Sequence, residues 1–485
     1  MKQIIFSDIS QISPFEWEIS QKVIPGMKVP VVLFATEQMI RNSLVDRSVD
    51  QAIHAAFLPG IVDRICVMPD MHQGYGFPIG GVAATSAEDG VISPGAIGYD
   101  INCGVRLLTS QIPCDSILPY LREVLAEINS LCPSGVGSSG RIQISRKDLE
   151  SICETGILWA NKKGLLLEGE ADAIEDRGRM HPENLDGVSK NAFDRGLPQL
   201  GSLGAGNHFI EIDRVEKVYD QQIAESFGLW EGTTVVQIHT GSRGFGHQVC
   251  TDFVRLFNDA ADQYRYDLPD RELACAPIHS RLGDQYLSAM YAAANFAFVN
   301  RQILAASIRE AFDNILGKYF RSTALHTVYD LAHNIAKIEH LTIKGKEKRV
   351  CVHRKGATRA LGPGNALLPD KYRLTGQPVL IPGSMGTSSW VMAGTRIAAE
   401  KSLNSCCHGA GRLLSRSKAR RTINSHSVAA DLREASIEFL AGSQSALSEE
   451  APAAYKAVDE VIECVAAVGI AAKVAKLTPM AVVKG

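Results

Sequence analysis

At 485 residues with 45% hydrophobic content, the chain can bury a large core. Its formal net charge of -3 excludes a globally basic coat for nucleic acid, so any such surface must be local. Eleven cysteines without a regular framework, and no apolar run after MKQIIFSDIS, exclude a disulfide-built secreted scaffold and point to a reduced, cytosolic setting. The most apolar stretches, MYAAANFAFVN (290–300) and VIECVAAVGIAAKVAKL (461–477), are short or broken by Glu463, Lys473 and Lys476, which excludes a transmembrane helix.

Residues 1–60 read as an N-terminal cap: a strand at Trp17-Glu18-Ile19, a second at VPVVLFA (29–35), and a helix in RSVDQAIHAAFL. His54 on that helix has no second ligand near it. Residues 67–106 follow, so rich in Gly and Pro that no long helix can form; short strands and tight turns are expected. Within them, Asp100 and Cys103 set a hard and a soft ligand three residues apart, a pairing that suits a transition metal better than magnesium or calcium. An isolated D-x-x-C is more often an N-capping aspartate and a buried cysteine.

From 107 to 200 come an amphipathic helix (LPYLREVLAEINSL), a turn (PSGVGSSGR) and the polar stretch EDRGRMHPENLDGVSKNAFDRG. Residues 145–200 read as a rim insertion, with His181 exposed and inert. HFIEI and TTVVQIHT read as buried strands with His208 and His239 at their ends, and residues 251–320 as helical scaffold. Strand and turn segments return after 320, and a mainly helical tail is expected to run to Lys484-Gly485. A length prior of about 150 residues per domain suggests roughly three domains. However, a site fed by motifs spread from 67 to 412 requires one interwoven α+β domain spanning 1–485 around a central sheet assembly.

GAGNHF (204–209), QIHTGSRG (237–244), LAHN (331–334) and CHGAGR (407–412) each set a histidine beside Gly, Asn or Ser, residue types used where backbone approaches a ligand closely. These motifs, with MPDMHQGYGFPIGG, GYDINCGVR, HRKGATR and PGSMG, appear in the order of the RtcB family of RNA ligases, which the chain closely resembles along almost its whole length. Members of that family join RNA 3'-phosphate or 2',3'-cyclic phosphate ends to 5'-hydroxyl ends.

The resemblance implies two manganese ions sharing a thiolate: Asp100, Cys103 and His208 on one, and Cys103, His239 and His333 on the other. Five ligands exceed what a single open site normally takes from protein, which agrees with two ions. Gly409, Ala410 and Gly411 leave backbone N–H groups free to face an anion, and RLLSRSKARR reads as a helix pointing its N-terminal end at the same place. From the residues alone His408 fits a sixth metal ligand or a structural histidine; the resemblance implies instead the histidine that carries GMP from GTP. It further implies GTP contacts at Asn207, His208, Phe209, Ile210, Glu211, His333, Asn334, Pro382, Gly383, Ser384, Met385, Ser389, His408–Gly411 and Lys484. Glu211 would read the guanine N1–H and amino group.

RNA phosphates are expected on Arg243, Arg354, Lys355 and Arg412, with Arg416, Lys418, Arg420 and Arg421 nearby, although charge runs usually mark a solvated face. The implied protein is a cytoplasmic monomer with an archease-type activating protein as a potential partner. Two rival functions use the same residues. One is a metal-dependent phosphodiesterase that only opens cyclic phosphates; the other is a non-catalytic RNA-binding protein with a structural metal.

Overall fold

The computed structural model describes residues 2–485. Two large mixed sheets dominate it. One has seven strands in the order Ser10–Ser13, Glu16–Ile19, Val31–Phe34, Ile61–His72, Ile79–Ser86, Lys346–Lys355, Asn334–Ile343. The other runs His326–Ala332, Gly104–Pro113, Thr233–Thr240, Phe209–Val218, Ala471–Lys484, Ser389–Gly394, Pro378–Ile381, with Glu438–Ala441 paired parallel to Ala471–Lys484.

Only His333 separates the last residue of a strand in one sheet, Ala332, from the first of a strand in the other, Asn334. The chain therefore crosses between sheets at that histidine. In the second sheet, Gly104 pairs with both Ala332 and Thr240, and Phe209 pairs with both His239 and Lys484. Strand register thus gathers the residues around positions 103, 208, 239, 333 and 484 along one end of adjacent strands, although hundreds of residues separate them in sequence.

A 36-residue helix, Arg281–Leu316, is capped by Ser280, whose side chain accepts from the Gly283 N–H, and is buried over most of its length. Its buried polar side chains serve neighbouring loops. Arg301 chelates Asp330 at 2.8 to 3.0 Å and donates to the carbonyls of Asn102 (2.8 Å) and Thr240 (3.0 Å), joining the turn that carries Cys103 to the strand end that carries His239.

Residues 145–200 do not form a rim appendage. Leu149, Ile152, Trp159 and Phe193 pack into the core beside the long helix. The acidic stretch that reads as a solvated loop supplies buried counter-ions: Glu170 pairs with Arg309 at 2.5 Å and lies 3.9 Å from Arg106, and Glu175 pairs with Lys337 at 2.5 Å and Arg359 at 3.3 Å. Burial pushes the Glu170 carboxyl up, but the Arg106 and Arg309 guanidinium groups outweigh it and hold the group down at about 2, against an ordinary 4.5.

A group with a depressed folded pKa stabilises above its unfolded value and loses that stabilisation as pH falls through the folded one. Glu170 should therefore contribute on the order of 3 kcal/mol at neutral pH. In urea unfolding, the stability difference between wild type and Glu170→Gln is expected to be large at pH 7 and to shrink steadily between about pH 4.5 and pH 2. A difference independent of pH would contradict the ion-pair assignment.

The tail also departs from expectation. Helices Ser425–Glu434 and Val458–Val468 are present, but Gly469, in a left-handed conformation (φ +87°), ends the last of them, and Ala471–Lys484 is a 14-residue strand inside the second sheet. Most of that strand is buried on both faces, so it lacks the alternation that marks a half-exposed strand, and its alanines read as helix.

Candidate functional site

Cys103 sits at the centre of the thiol and imidazole cluster. Its Sγ lies 3.4 Å from His208 Nε2 and 3.4 Å from His239 Nε2; His239 Nε2 is 3.3 Å from His333 Nε2, and His208 Nε2 is 2.9 Å from Asp100 Oδ2. The ligand atoms of Asp100, Cys103 and His208, and those of Cys103, His239 and His333, each lie within 4.8 Å of one another. The turn that aims the first two is built locally. Asn102 takes φ +51°, a conformation asparagine tolerates, the Cys103 N–H donates to the Asp100 carbonyl, and a side chain at Gly241 would meet the Asp100 carboxylate at 2.4 Å. His208 faces its Nδ1 to the Leu203 carbonyl at 3.1 Å, which leaves Nε2 toward the thiol. The Nδ1 atoms of His239 and His333 have no hydrogen-bond partner, so ring packing orients them: His239 against Phe209 at 5.4 Å and His333 against His408 at 4.8 Å.

Burial pushes all three imidazoles below their ordinary value, so they stay neutral with lone pairs available. Burial pushes the Asp100 carboxyl up, but the His208 hydrogen bond and charge outweigh it and keep Asp100 ionised. Burial and the Asp100 charge both drive the Cys103 thiol well up, so its thiolate is costly unless a cation compensates it. Neutral imidazoles, a carboxylate and a thiol converging in this way are a donor set suited to a divalent metal.

His408 lies beside this cluster on the sharp turn after the short strand Ser405–Cys407. One buried carboxylate oxygen, Asp70 Oδ2, accepts from the His408 backbone N–H at 3.1 Å and pairs with His408 Nδ1 at 2.6 Å; the Asp70 side chain is 0% exposed and that of His408 16%. With Nδ1–H donated to Asp70, the Nε2 lone pair is the one left for chemistry. Gly411 is required here: at φ +76° a Cβ would lie 2.1 Å from the Asp70 carbonyl oxygen. The helix expected right after the glycines begins only at Arg416, capped by Ser415, so it does not continue directly from Gly409–Gly411.

Asp70 is the buried partner of His408 that the motifs did not single out. The signal was available in MPDMHQG, where a carboxylate among apolar and Gly/Pro residues needs a buried partner. Asp70→Asn retains shape but removes the acceptor charge. It is expected to slow any attack by His408 Nε2 by roughly 10³-fold or more, the scale seen when an orienting aspartate is neutralised in other enzymes. Single-turnover labelling checks this; an unchanged rate would remove Asp70 from the machinery.

A cavity of about 230 Å³ opens over His408. Of the residues expected at a nucleotide, it is lined by Asn207, Phe209, Glu211, His333, Asn334, Pro382, Gly383, Ser384, Met385, His408, Gly409, Ala410, Gly411 and Lys484. Three are not on its wall. Ile210 points into the core, and Ser389 stands behind the loop, its Oγ accepting from the Gly383 N–H at 3.1 Å. His208 opens on an adjoining cleft. Lys484 is ordered by the C-terminal strand, is 4% exposed and pairs with Glu450 at 3.3 Å. Tyr455, Glu450 and His72 also line the cavity and were not foreseen.

The expected RNA contacts divide. Arg354 is fully buried in a bidentate pair with Glu339 (2.6 and 3.0 Å), and Lys355, 3% exposed, donates to the backbone carbonyls of Tyr75 and Gly95. Neither is free to meet a phosphate. The HRK run looks basic but ends a strand whose last six residues are all buried. Arg412 reaches the cavity, yet its guanidinium is held by Glu450, Tyr455 and the Glu449 carbonyl. Arg243, 3.1 Å from His208 Nδ1, lines the adjoining cleft of about 680 Å³ together with Arg195, Arg416 and Arg420, where Glu449 pairs with Arg420 at 2.9 Å and lies 3.9 Å from Arg416.

Residues 51–485 match the family profile described as tRNA-splicing ligase RtcB. Among curated relatives, the tRNA-splicing ligase RtcB of Archaeoglobus fulgidus is 46% identical over 477 residues, covering 98% of this chain and 99% of its own, and that of Thermococcus kodakarensis is 47% identical with the same coverage. The RNA-splicing ligase RtcB of Mycobacterium tuberculosis is 46% identical over 438 residues, 90% of this chain and 100% of its own.

Proposed function

The chain belongs to the RtcB family of tRNA-splicing ligases, and from that premise we propose that it is a GTP- and manganese-dependent RNA ligase. It would join 3'-phosphate or 2',3'-cyclic phosphate ends to 5'-hydroxyl ends, in tRNA splicing or RNA repair, as a cytoplasmic enzyme. One observation carries the mechanism: His408 has Nδ1 pinned by a buried carboxylate and shares a cavity with Glu211, Lys484 and the Pro382–Met385 loop.

A cyclic end is first opened to a 3'-phosphate: a water oxygen attacks the phosphorus, the P–O2' bond breaks, and the 2'-oxygen leaves as a hydroxyl with a proton from that water. His408 Nε2 then attacks the α-phosphorus of GTP, forming an N–P bond as the bond to pyrophosphate breaks, while Asp70 balances the charge that develops on the ring. An oxygen of the RNA 3'-phosphate attacks the same phosphorus, the N–P bond breaks, and the guanylate passes to the RNA 3' end. The 5'-hydroxyl oxygen finally attacks the RNA 3'-phosphorus and expels GMP. Glu211 accepts from guanine N1–H and its amino group. Arg243, Arg416 and Arg420 offer charge to the RNA backbone. Two manganese ions, held by Asp100, Cys103 and His208 and by Cys103, His239 and His333, would supply Lewis-acid charge to the phosphoryl oxygens.

Nitrogen and sulfur donors bind zinc more tightly than manganese, so added zinc is expected to inhibit even with manganese present. Full ligation with saturating zinc would contradict the assignment. The function itself is tested with cleaved RNA halves bearing a 2',3'-cyclic phosphate and a 5'-hydroxyl. Product of joined length that requires both GTP and manganese supports it. Opening of the cyclic phosphate without joining would favour the phosphodiesterase, and no reaction a binding protein.

A further inference from the structure

Behind Glu211, away from the cavity, stands a second buried carboxyl, Asp213. The two are alternate residues of the strand Phe209–Val218, so their side chains leave the same face of the sheet. Glu211 lines the cavity and Asp213, 0% exposed, does not. Asp213 Oδ2 accepts from Gln237 Nε2 at 2.6 Å, while its Oδ1, equally buried, has no hydrogen-bond partner, and the Glu211 carboxyl is the next acid along that face. A proton on one of the two acids would give that orphaned oxygen a partner. Among the described residues neither carboxyl has a cation at ion-pair distance; Lys484, which faces Glu211 from the C-terminal strand, is paired with Glu450. Two buried carboxylates this close and uncompensated do not both ionise.

We propose that Asp213 sets base choice in this pocket: the Glu211–Asp213 pair holds a shared proton, and where it sits decides whether the pocket edge matches guanine or adenine. This rests on Glu211 reading the base, as set out above. Ionised Glu211 accepts from the N1–H and amino group of guanine; protonated Glu211 donates to adenine N1 and accepts from its amino group. When guanine docks, the O–H bond on Glu211 breaks and one forms on Asp213, with no net proton gained or lost. Asp213 is thus a positioning residue acting through Glu211.

The groups facing the pair are Lys484 with Glu450 behind it, Arg416 beyond them, Gln237 and His239 from the strand Thr233–Thr240, and the Cys114 thiol near Asp213. Burial drives both acids up, Glu211 further because of the Asp213 charge, and Asp213 to about 7. Below about pH 7 the pair therefore takes up a second proton, which guanine must expel and adenine need not.

The test compares labelling of wild-type His408 by α-labelled ATP and GTP across pH. The ratio cancels contributions from the triphosphate and metal, which both nucleotides share. The ATP-to-GTP ratio is expected to rise roughly tenfold per pH unit below about 7, and in Asp213→Asn to be lower and flat with pH. Should that variant fail to fold, calorimetry on the wild type decides. Guanosine binding, measured in two buffers of different ionisation heat, should release about one proton per molecule well below pH 7 and none at about pH 8. Adenosine should release none at either. Strong GTP preference that ignores pH and Asp213, with no proton released, overturns this inference and leaves the proposed function standing. Equal labelling by both nucleotides at every pH, or none by either, overturns the role of Glu211 or the guanylylation itself, and this inference with it.

Discussion

Alanine at position 408 is expected to abolish labelling by α-labelled GTP and to reduce RNA joining by at least about 10⁴-fold, the scale on which removal of a covalent nucleophile acts in other enzymes. No neighbouring side chain is placed to replace it. The other imidazoles in the cavity wall, His239 and His333, turn their Nε2 atoms toward the Cys103 cluster, and His72 has its Nδ1 3.0 Å from the Asp70 carbonyl. The fold should survive. The His408 side chain is partly exposed, and Asp70 Oδ2 keeps the backbone N–H of residue 408, so the stability cost is expected to be about 1 to 2 kcal/mol. Bound manganese should be unchanged. Retained labelling in His408→Ala would move the nucleophile elsewhere, and loss of metal along with labelling would make His408 a ligand instead.

Cys103→Ala should be equally severe by a different route. Its sulfur belongs to both triads, so removing it leaves each with only two protein ligands, Asp100 with His208 and His239 with His333. Removal of even an outer partner of a metal ligand costs about 10- to 100-fold in affinity, and loss of the shared ligand should exceed that. Calorimetric titration is expected to show manganese affinity reduced by more than roughly 100-fold, with ligation falling to background. Manganese binding at wild-type strength in Cys103→Ala would disprove the shared-thiolate site.

Much of the site was legible in the sequence because it is carried by short motifs whose order matches that of a known family. The histidines and Cys103 stand at Gly-, Asn- or Ser-flanked positions, their division into metal ligands and a nucleophile came from the family resemblance, and the strands that carry His208 and His239 are recognisable at HFIEI and TTVVQIHT. What stayed hidden depends on pairing across sheets. Arg354 and Lys355 look like an RNA patch until register places them at the buried end of a central strand. Glu170 and Glu175 look like a solvated loop until Arg106, Arg309, Lys337 and Arg359 are found opposite them. The C-terminal strand escaped because a strand buried on both faces has no period of two, and Asp70 because its partner lies 338 residues away.

The central claim, that His408 carries a guanylate, is tested most directly by incubating the protein with manganese and α-labelled GTP and mapping the modified residue by peptide mass spectrometry. An acid-labile phosphoramidate of GMP on His408 is the predicted result. Label on a lysine or on any other histidine, or joined RNA without any protein adduct, would contradict it.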